Sequence, residues 1–125
     1  MRTQPYPAAG DSATVDHYHI WVDLKPGVKD LDLSSSIEGL LGNLKGKGLL
    51  EGWSLQRRKL GFGPDALGEW HVDIVCKDLA QLYAAFNHMT PRTGEMERLH
   101  AMVWSKVDNY KAGLYRDFPD ANRAR

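Results

Sequence analysis

The chain has 125 residues, and its 16 Lys+Arg against 16 Asp+Glu give a formal charge of zero. Apolar residues at 42% and charged residues at 26% describe one globular domain with a core of its own and exclude a disordered chain. The neutral balance argues against a general nucleic-acid binder, and the single cysteine, Cys76, excludes an internal disulfide framework and suits a reducing compartment.

The first fourteen residues carry no apolar stretch of the kind a signal peptide needs, and no run approaches the roughly 18 apolar residues of a membrane span. The expected location is the cytoplasm, with no membrane partner. Residues 1–14 read as a flexible arm, 15–120 as a single domain and 121–125 as a flexible tail.

Val15 to Leu24 alternates. Tyr18, Ile20, Val22 and Leu24 share one face, and His17, His19, Trp21 and Asp23 the other, which is the period of a strand. Lys25-Pro26-Gly27 ends it in a tight turn. A helix is expected over Asp32 to Lys47, because Ile37, Leu40, Leu41 and Leu44 recur at helical spacing. Ser35 and Glu38 resemble a capping box, with Asp30 or Asp32 as earlier starting points, and Gly48 suits a left-handed stop.

Strands follow over Gly52 to Leu60 and Leu67 to Lys77. They are joined by the loop Gly61-Phe62-Gly63-Pro64-Asp65-Ala66, a strand connection with Phe62 at its tip. Asp78 reads as the N-cap of a helix from Leu79 to Met89, which Thr90-Pro91 stops. Thr93 to Val107 fits either period, and its Glu, Met, Arg, Leu and Ala content selects helix. A last strand runs over Asn109 to Arg116.

This order is the βαββαβ of a ferredoxin-like α+β fold, with an extra helical piece before the last strand. It implies a four-stranded antiparallel sheet with helices on one face. The other face carries Trp21 between His19 and Asp23, too aromatic for a plain solvated surface and too polar for a core. A second copy packed across a two-fold axis would cover it, making a dimeric α/β barrel whose inter-sheet space has the mixed character of a small-molecule site.

The stretches HYHIWVDLKPGVKDLD, RRKLGFGPDALGEWHVDI, KDLAQLYAAF and LYRDFPD resemble an uncharacterised bacterial family catalogued as a domain of unknown function. The resemblance covers residues 17 to 120. In architecture the chain more distantly resembles the dimeric α/β-barrel superfamily, which includes stress-responsive barrel proteins and small cofactor-free monooxygenases. Neither likeness brings catalytic residues with it.

The candidate site is His17, His19, Trp21, Glu69, His71 and Asp73. The first and third strands are central neighbours in this topology, and facing side chains stand about 5 Å apart. His19, His71 and Asp73 are the candidate catalytic group, since an imidazole beside a carboxylate transfers protons near neutral pH. His17, Trp21, Arg58, Glu69 and Tyr115 are candidate ligand contacts. Trp21 would stack on the ligand, Glu69 or Asp73 would orient the histidines, and Arg58 would hold an anion. The plainer alternative is a hydrogen-bonded polar cluster at a dimer interface. His-x-His with a third histidine and a carboxylate also suits a divalent metal, but no Cys pair or HExxH helix accompanies it, and no metal or cofactor is expected. Cys76 reads as a buried, inert thiol, and His88 and His100 as surface or packing residues.

The expected function is that of a homodimer binding a small molecule on the open sheet face. Any reaction there would be proton transfer, isomerisation or monooxygenase-like chemistry without a cofactor. The alternative is a non-enzymatic dimerisation or interaction module. An RNA-binding role fits poorly, because the sheet lacks stacking aromatics on both central strands.

Overall fold

Alternation along the first strand sets the layers of the molecule. The computed structural model describes residues 15–91 and 93–119, so the expected arm at 1–14 and tail at 121–125 lie outside the described residues. Strand β1 is Asp16–Leu24. It buries Ile20 and Val22, with Tyr18 and Leu24 packed at the margin of the same core.

Helix α1, Asp30–Gly46, lays Leu33, Ile37, Leu40, Leu41 and Leu44 into that core. It begins before Asp32, and Ser35 with Glu38 does not cap it. Lys29 takes the N-cap position without a side-chain hydrogen bond, and Asp30 and Asp32 stand in the first turn, where carboxylates complement the positive helix end. Gly48 ends the helix at φ 74, with Leu49 N donating to Leu44 O at 2.9 Å.

Strands β2, Gly52–Arg57, and β3, Trp70–Cys76, are shorter than expected. Leu60 and Gly61 turn through φ 57 and 70, which takes the chain off the sheet early. On the return, Gly68 passes against β1. A Cβ there would lie 2.2 Å from Val22 C and 2.3 Å from Val22 O, so only glycine allows the approach.

Asp78 caps α2, Leu79–Met89, by accepting from Gln81 N at 2.8 Å. The ambiguous segment forms α3, Gly94–Trp104, burying Met96, Leu99 and Val103. Strand β4 is Val107–Arg116. It starts before Asn109 because buried Val107 already pairs with Leu24. Asn109, at φ 55, sits where the register shifts between Trp21 and Asp23, a bulge.

The sheet order is β2-β3-β1-β4, antiparallel throughout, and the helices pack on one face. They stop short of β4, where Tyr110 and Leu114 remain 44% and 51% exposed. Among the described residues no helix is long and apolar enough to cross a membrane. Gly68→Ala is expected to destabilise the fold by about 2 kcal/mol or more, the scale of overpacking a tight contact. A lowered urea midpoint checks this, and an unchanged midpoint would refute the close approach.

Candidate functional site

The sheet face turned away from the helices gathers rings from three strands. β1 contributes His17, His19 and Trp21, β3 contributes His71 and Asp73, and β4 contributes Tyr115. The register sets His19 opposite Asp73, Trp21 opposite His71, and His17 opposite Tyr115. The His19 and His71 rings lie edge to edge in nearly one plane, centroids 4.9 Å apart, and Trp21 lies near-parallel to both at 5.7 and 5.0 Å. Tyr115 sets its ring edge against His19 at 5.0 Å. Gly113, opposite His19, leaves room for it: a Cβ there would come within 3.0 Å of the Tyr115 ring.

His19 and His71 meet diagonally rather than face to face. His19 Nδ1 and His71 Nε2 are 2.7 Å apart. His71 Nδ1 lies 2.8 Å from Gln56 Oε1, and Gln56 Nε2 donates to Ser54 Oγ at 2.7 Å. An amide oxygen only accepts, so His71 carries its proton on Nδ1 and accepts from His19 Nδ1–H through Nε2. In this tautomer His19 Nε2 holds the remaining lone pair. Burial holds both imidazoles below their ordinary pKa of 6.5, with the charge of His19 adding to the effect at His71 and the Asp73 carboxylate opposing it at both.

Behind this dyad lies a buried bridge. His17 and Asp73 are each 6% exposed. His17 Nδ1 is 3.1 and 3.2 Å from the Asp73 oxygens, and His17 Nε2 is 2.7 Å from Asp117 Oδ1. Whichever nitrogen carries the proton, it donates to a carboxylate. Asp117 was not among the candidates, because it follows the last strand and reads as part of its stop. The available signal was register: pairing Asp16 with Arg116 brings the residue after β4 beside the start of β1, and Asp117 N donates to Val15 O at 3.2 Å.

Two candidates, Glu69 and Arg58, stand at the edge of this face beside Trp21 and His71 and are engaged with other partners. Glu69 precedes β3, and its carboxylate accepts from Arg57 Nε at 2.7 Å, so it does not orient the histidines. Arg58 lies past the end of β2. Its Nη2 donates to the carbonyls of Pro64 and Leu67 at 2.9 and 2.7 Å, so it braces the connection rather than presenting that nitrogen to an anion. The braced connection walls a recess of about 230 Å³ lined by Phe62, Trp21, Gln56 and His71 together with Arg57, Arg58 and Glu69. Cys76 is buried, and desolvation raises its pKa to about 11, as an inert thiol requires.

The site offers one proton-accepting nitrogen, a partner ring to share the charge, and an aromatic wall. His17, His19 and Asp73 also bring one ligand atom each within 4.8 Å of one another, so this cluster could hold a metal ion.

The chain belongs to the family of unknown function DUF6614, whose model matches residues 15–125. No curated protein matches it. Its ferredoxin-like fold is similar to a crystal structure from Thermobifida fusca described as a dimeric ferredoxin-like protein of unknown function, with TM-score 0.61, 10% identity, and coverage of 88% of this chain and 97% of that one. It is also similar to a dimeric protein of unknown function and ferredoxin-like fold from Bacteroides fragilis, with TM-score 0.55, 7% identity, and coverage of 82% and 96%.

The lowered imidazole pKa values set a pH dependence. An unfolded imidazole takes up its proton near 6.5 and the folded ones only below that. Their contribution to stability is therefore complete above pH 6.5 and lost as the pH falls through the folded values. The Tm is expected to drop between about pH 7.5 and about pH 5.5, with a shallower slope in His71→Gln. An identical slope in the variant would contradict the assignment.

Proposed function

We propose that this member of the family works as a homodimer whose open sheet faces pack together and enclose a small-molecule site, where the His19–His71 dyad transfers a proton without a cofactor. The 2.7 Å contact between His19 Nδ1 and His71 Nε2 carries this reading. Two like rings in direct hydrogen-bond contact hold one extra proton far better than two. A proton taken at His19 Nε2 lets His19 Nδ1–H pass to His71 Nε2. The charge then rests on His71, whose Nδ1–H still donates to Gln56. A pKa below the usual imidazole value keeps the dyad unprotonated and ready as a base at neutral pH.

Dimerisation is supported by the unmatched character of this face, where Tyr115 is 59% exposed beside the near-parallel rings, and by the two similar folds described as dimeric. The small molecule would lie between the paired sheets over His19, against the Trp21 indole, with the recess beside Trp21 and His71 taking the part of it remote from His19 Nε2. The aromatic surface of the recess from Trp21 and Phe62, with Arg57, Arg58 and Glu69 at its wall, favours an aromatic or amphipathic ligand.

A divalent metal is the second reading, favoured by the proximity of His17, His19 and Asp73. Both His17 nitrogens already face carboxylates, so an ion bound there displaces one of those hydrogen bonds. Stoichiometric Zn²⁺ uptake by the untagged protein, with a raised Tm, would select this reading over the proton dyad.

Native mass spectrometry of the untagged protein is expected to give a dimer carrying an added small mass. Tyr115→Glu should give a folded monomer. Trp21→Ala should lose the added mass and weaken binding of the identified compound several-fold, the scale of one stacked-ring contact at about 1 kcal/mol. A wild-type monomer would overturn the paired-sheet reading, and a bare dimer would return the weight to a purely structural interface.

A further inference from the structure

A second concavity lies on the opposite side of the sheet. A cavity of about 340 Å³ separates the sheet from the helices. That volume falls within the range of about 300–1,000 Å³ typical of small-molecule pockets. It is more than twice the roughly 150 Å³ of an engineered apolar void that stays dry and takes up benzene. Ile20, Val72 and Ile74 line it from the sheet, Leu41 and Leu44 from α1, and Leu82 from α2. A void of this size leaves its wall without packing partners, and a ligand restores them.

The lining is not uniformly apolar. Tyr18, His100, Trp104 and Tyr110 all belong to it. The Tyr18 and Tyr110 hydroxyls are 2.5 Å apart, Tyr110 meets the Trp104 ring at 5.0 Å, and His100 packs on Trp104 at 5.6 Å. These residues form one connected polar end. The Trp104 Nε1–H is buried with no hydrogen-bond partner among the described residues. An indole N–H only donates, and a buried donor without an acceptor costs free energy that a ligand oxygen recovers. Phe86 and Tyr110, 41% and 44% exposed, also belong to the lining.

No Lys, Arg, Asp or Glu of the described residues lines the cavity, so a carboxylate or ammonium group would enter without a counter-charge. We propose that the cavity between sheet and helices binds a neutral amphiphile, an apolar chain or ring bearing one carbonyl or hydroxyl oxygen that accepts from Trp104 Nε1–H once the indole, whose N–H its neighbours shield from a molecule the size of water, turns toward the cavity. This site is separate from the open-face dyad and does not depend on it.

The test is ¹H–¹⁵N NMR of the full-length protein titrated with decan-2-one, with n-decane as the probe that lacks an acceptor. Decan-2-one is expected to move the Trp104 indole resonance downfield, to show intermolecular NOEs to the Ile20, Val72 and Ile74 methyl groups, and to raise the Tm. Trp104→Phe, which also assigns the resonance, should weaken decan-2-one binding five- to tenfold and leave decane unchanged. Ala85→Trp, filling the cavity, should abolish both. The NOEs in the wild-type protein decide the location even if that variant does not fold. Saturating decan-2-one without those NOEs would overturn the site, including the case in which another part of the chain already fills it. Equal affinity for the two probes, or an unmoved Trp104 resonance, would overturn the role of the indole.

Discussion

The antiparallel pairing of β1 with β3 at the centre of the sheet is the constraint on which the other features depend. It sets His19 opposite Asp73 and Trp21 opposite His71 on one face, and Tyr18 opposite Ile74 and Ile20 opposite Val72 on the other. A slip of one residue would exchange the faces, sending imidazoles into the leucine core of α1 and apolar side chains to the open surface. Gly68 reinforces the alignment by passing against the Val22 backbone. Asp23 adds to it by accepting from Glu69 N at 2.9 Å and from Asn109 at 3.1 Å. These two hydrogen bonds hold the Asp23 carboxyl below its ordinary pKa and tie the ends of three strands together.

The open face separates into two layers of different chemistry. His17 and Asp73 are buried and matched to one another and to Asp117, as a polar group beneath a surface must be. Such a bridge stiffens the sheet and needs no ligand. The His19–His71 pair lies further out, its hydrogen-bond chain running through Gln56 to Ser54. That chain fixes a tautomer, and a fixed tautomer leaves one nitrogen with a defined basic lone pair. A merely structural pair would not need an amide placed to choose which nitrogen carries the proton. This difference, rather than the number of histidines, favours the proton-transfer reading.

Much of the architecture was legible because the alternation in β1 and the apolar stripe of α1 are strong signals of burial. Asp78 as a cap and Gly48 as a stop follow from local chemistry that needs no distant partner. The misplaced boundaries share a different cause. β2 loses its last expected residues to positive φ at Leu60 and Gly61, and β4 gains Val107 through pairing with Leu24, neither of which leaves a periodic trace. Arg58 and Glu69 do border Trp21 and His71, but both lie past the ends of β2 and β3, where a period of two no longer sets what a side chain meets. Once the strand ends, side-chain direction is no longer alternating, and the nearest carbonyl or guanidinium takes the group. Asp117 was invisible for the opposite reason, since its role comes from pairing across the whole domain. His100 reads as a surface or packing residue because a cavity in the core leaves no mark on sequence pattern.

β1 therefore carries two adjoining environments on one backbone. Its odd positions hold rings that are hydrogen-bonded and partly wet. Its even positions face a cavity whose only unmatched donor is the Trp104 indole among the described residues. Tyr18 shows how closely they adjoin. Desolvation and the neighbouring Tyr110 hydroxyl both push its pKa up, one residue from an imidazole that desolvation pushes down. Both shifts favour the neutral form, so the centre of this strand is uncharged at neutral pH on both faces. On the helix side, where no Lys, Arg, Asp or Glu of the described residues lines the cavity, this suits an uncharged, partly apolar molecule. The Arg57–Glu69 and Arg57–Asp30 pairs lie at the exposed edge, where solvent screens them and they contribute little to stability.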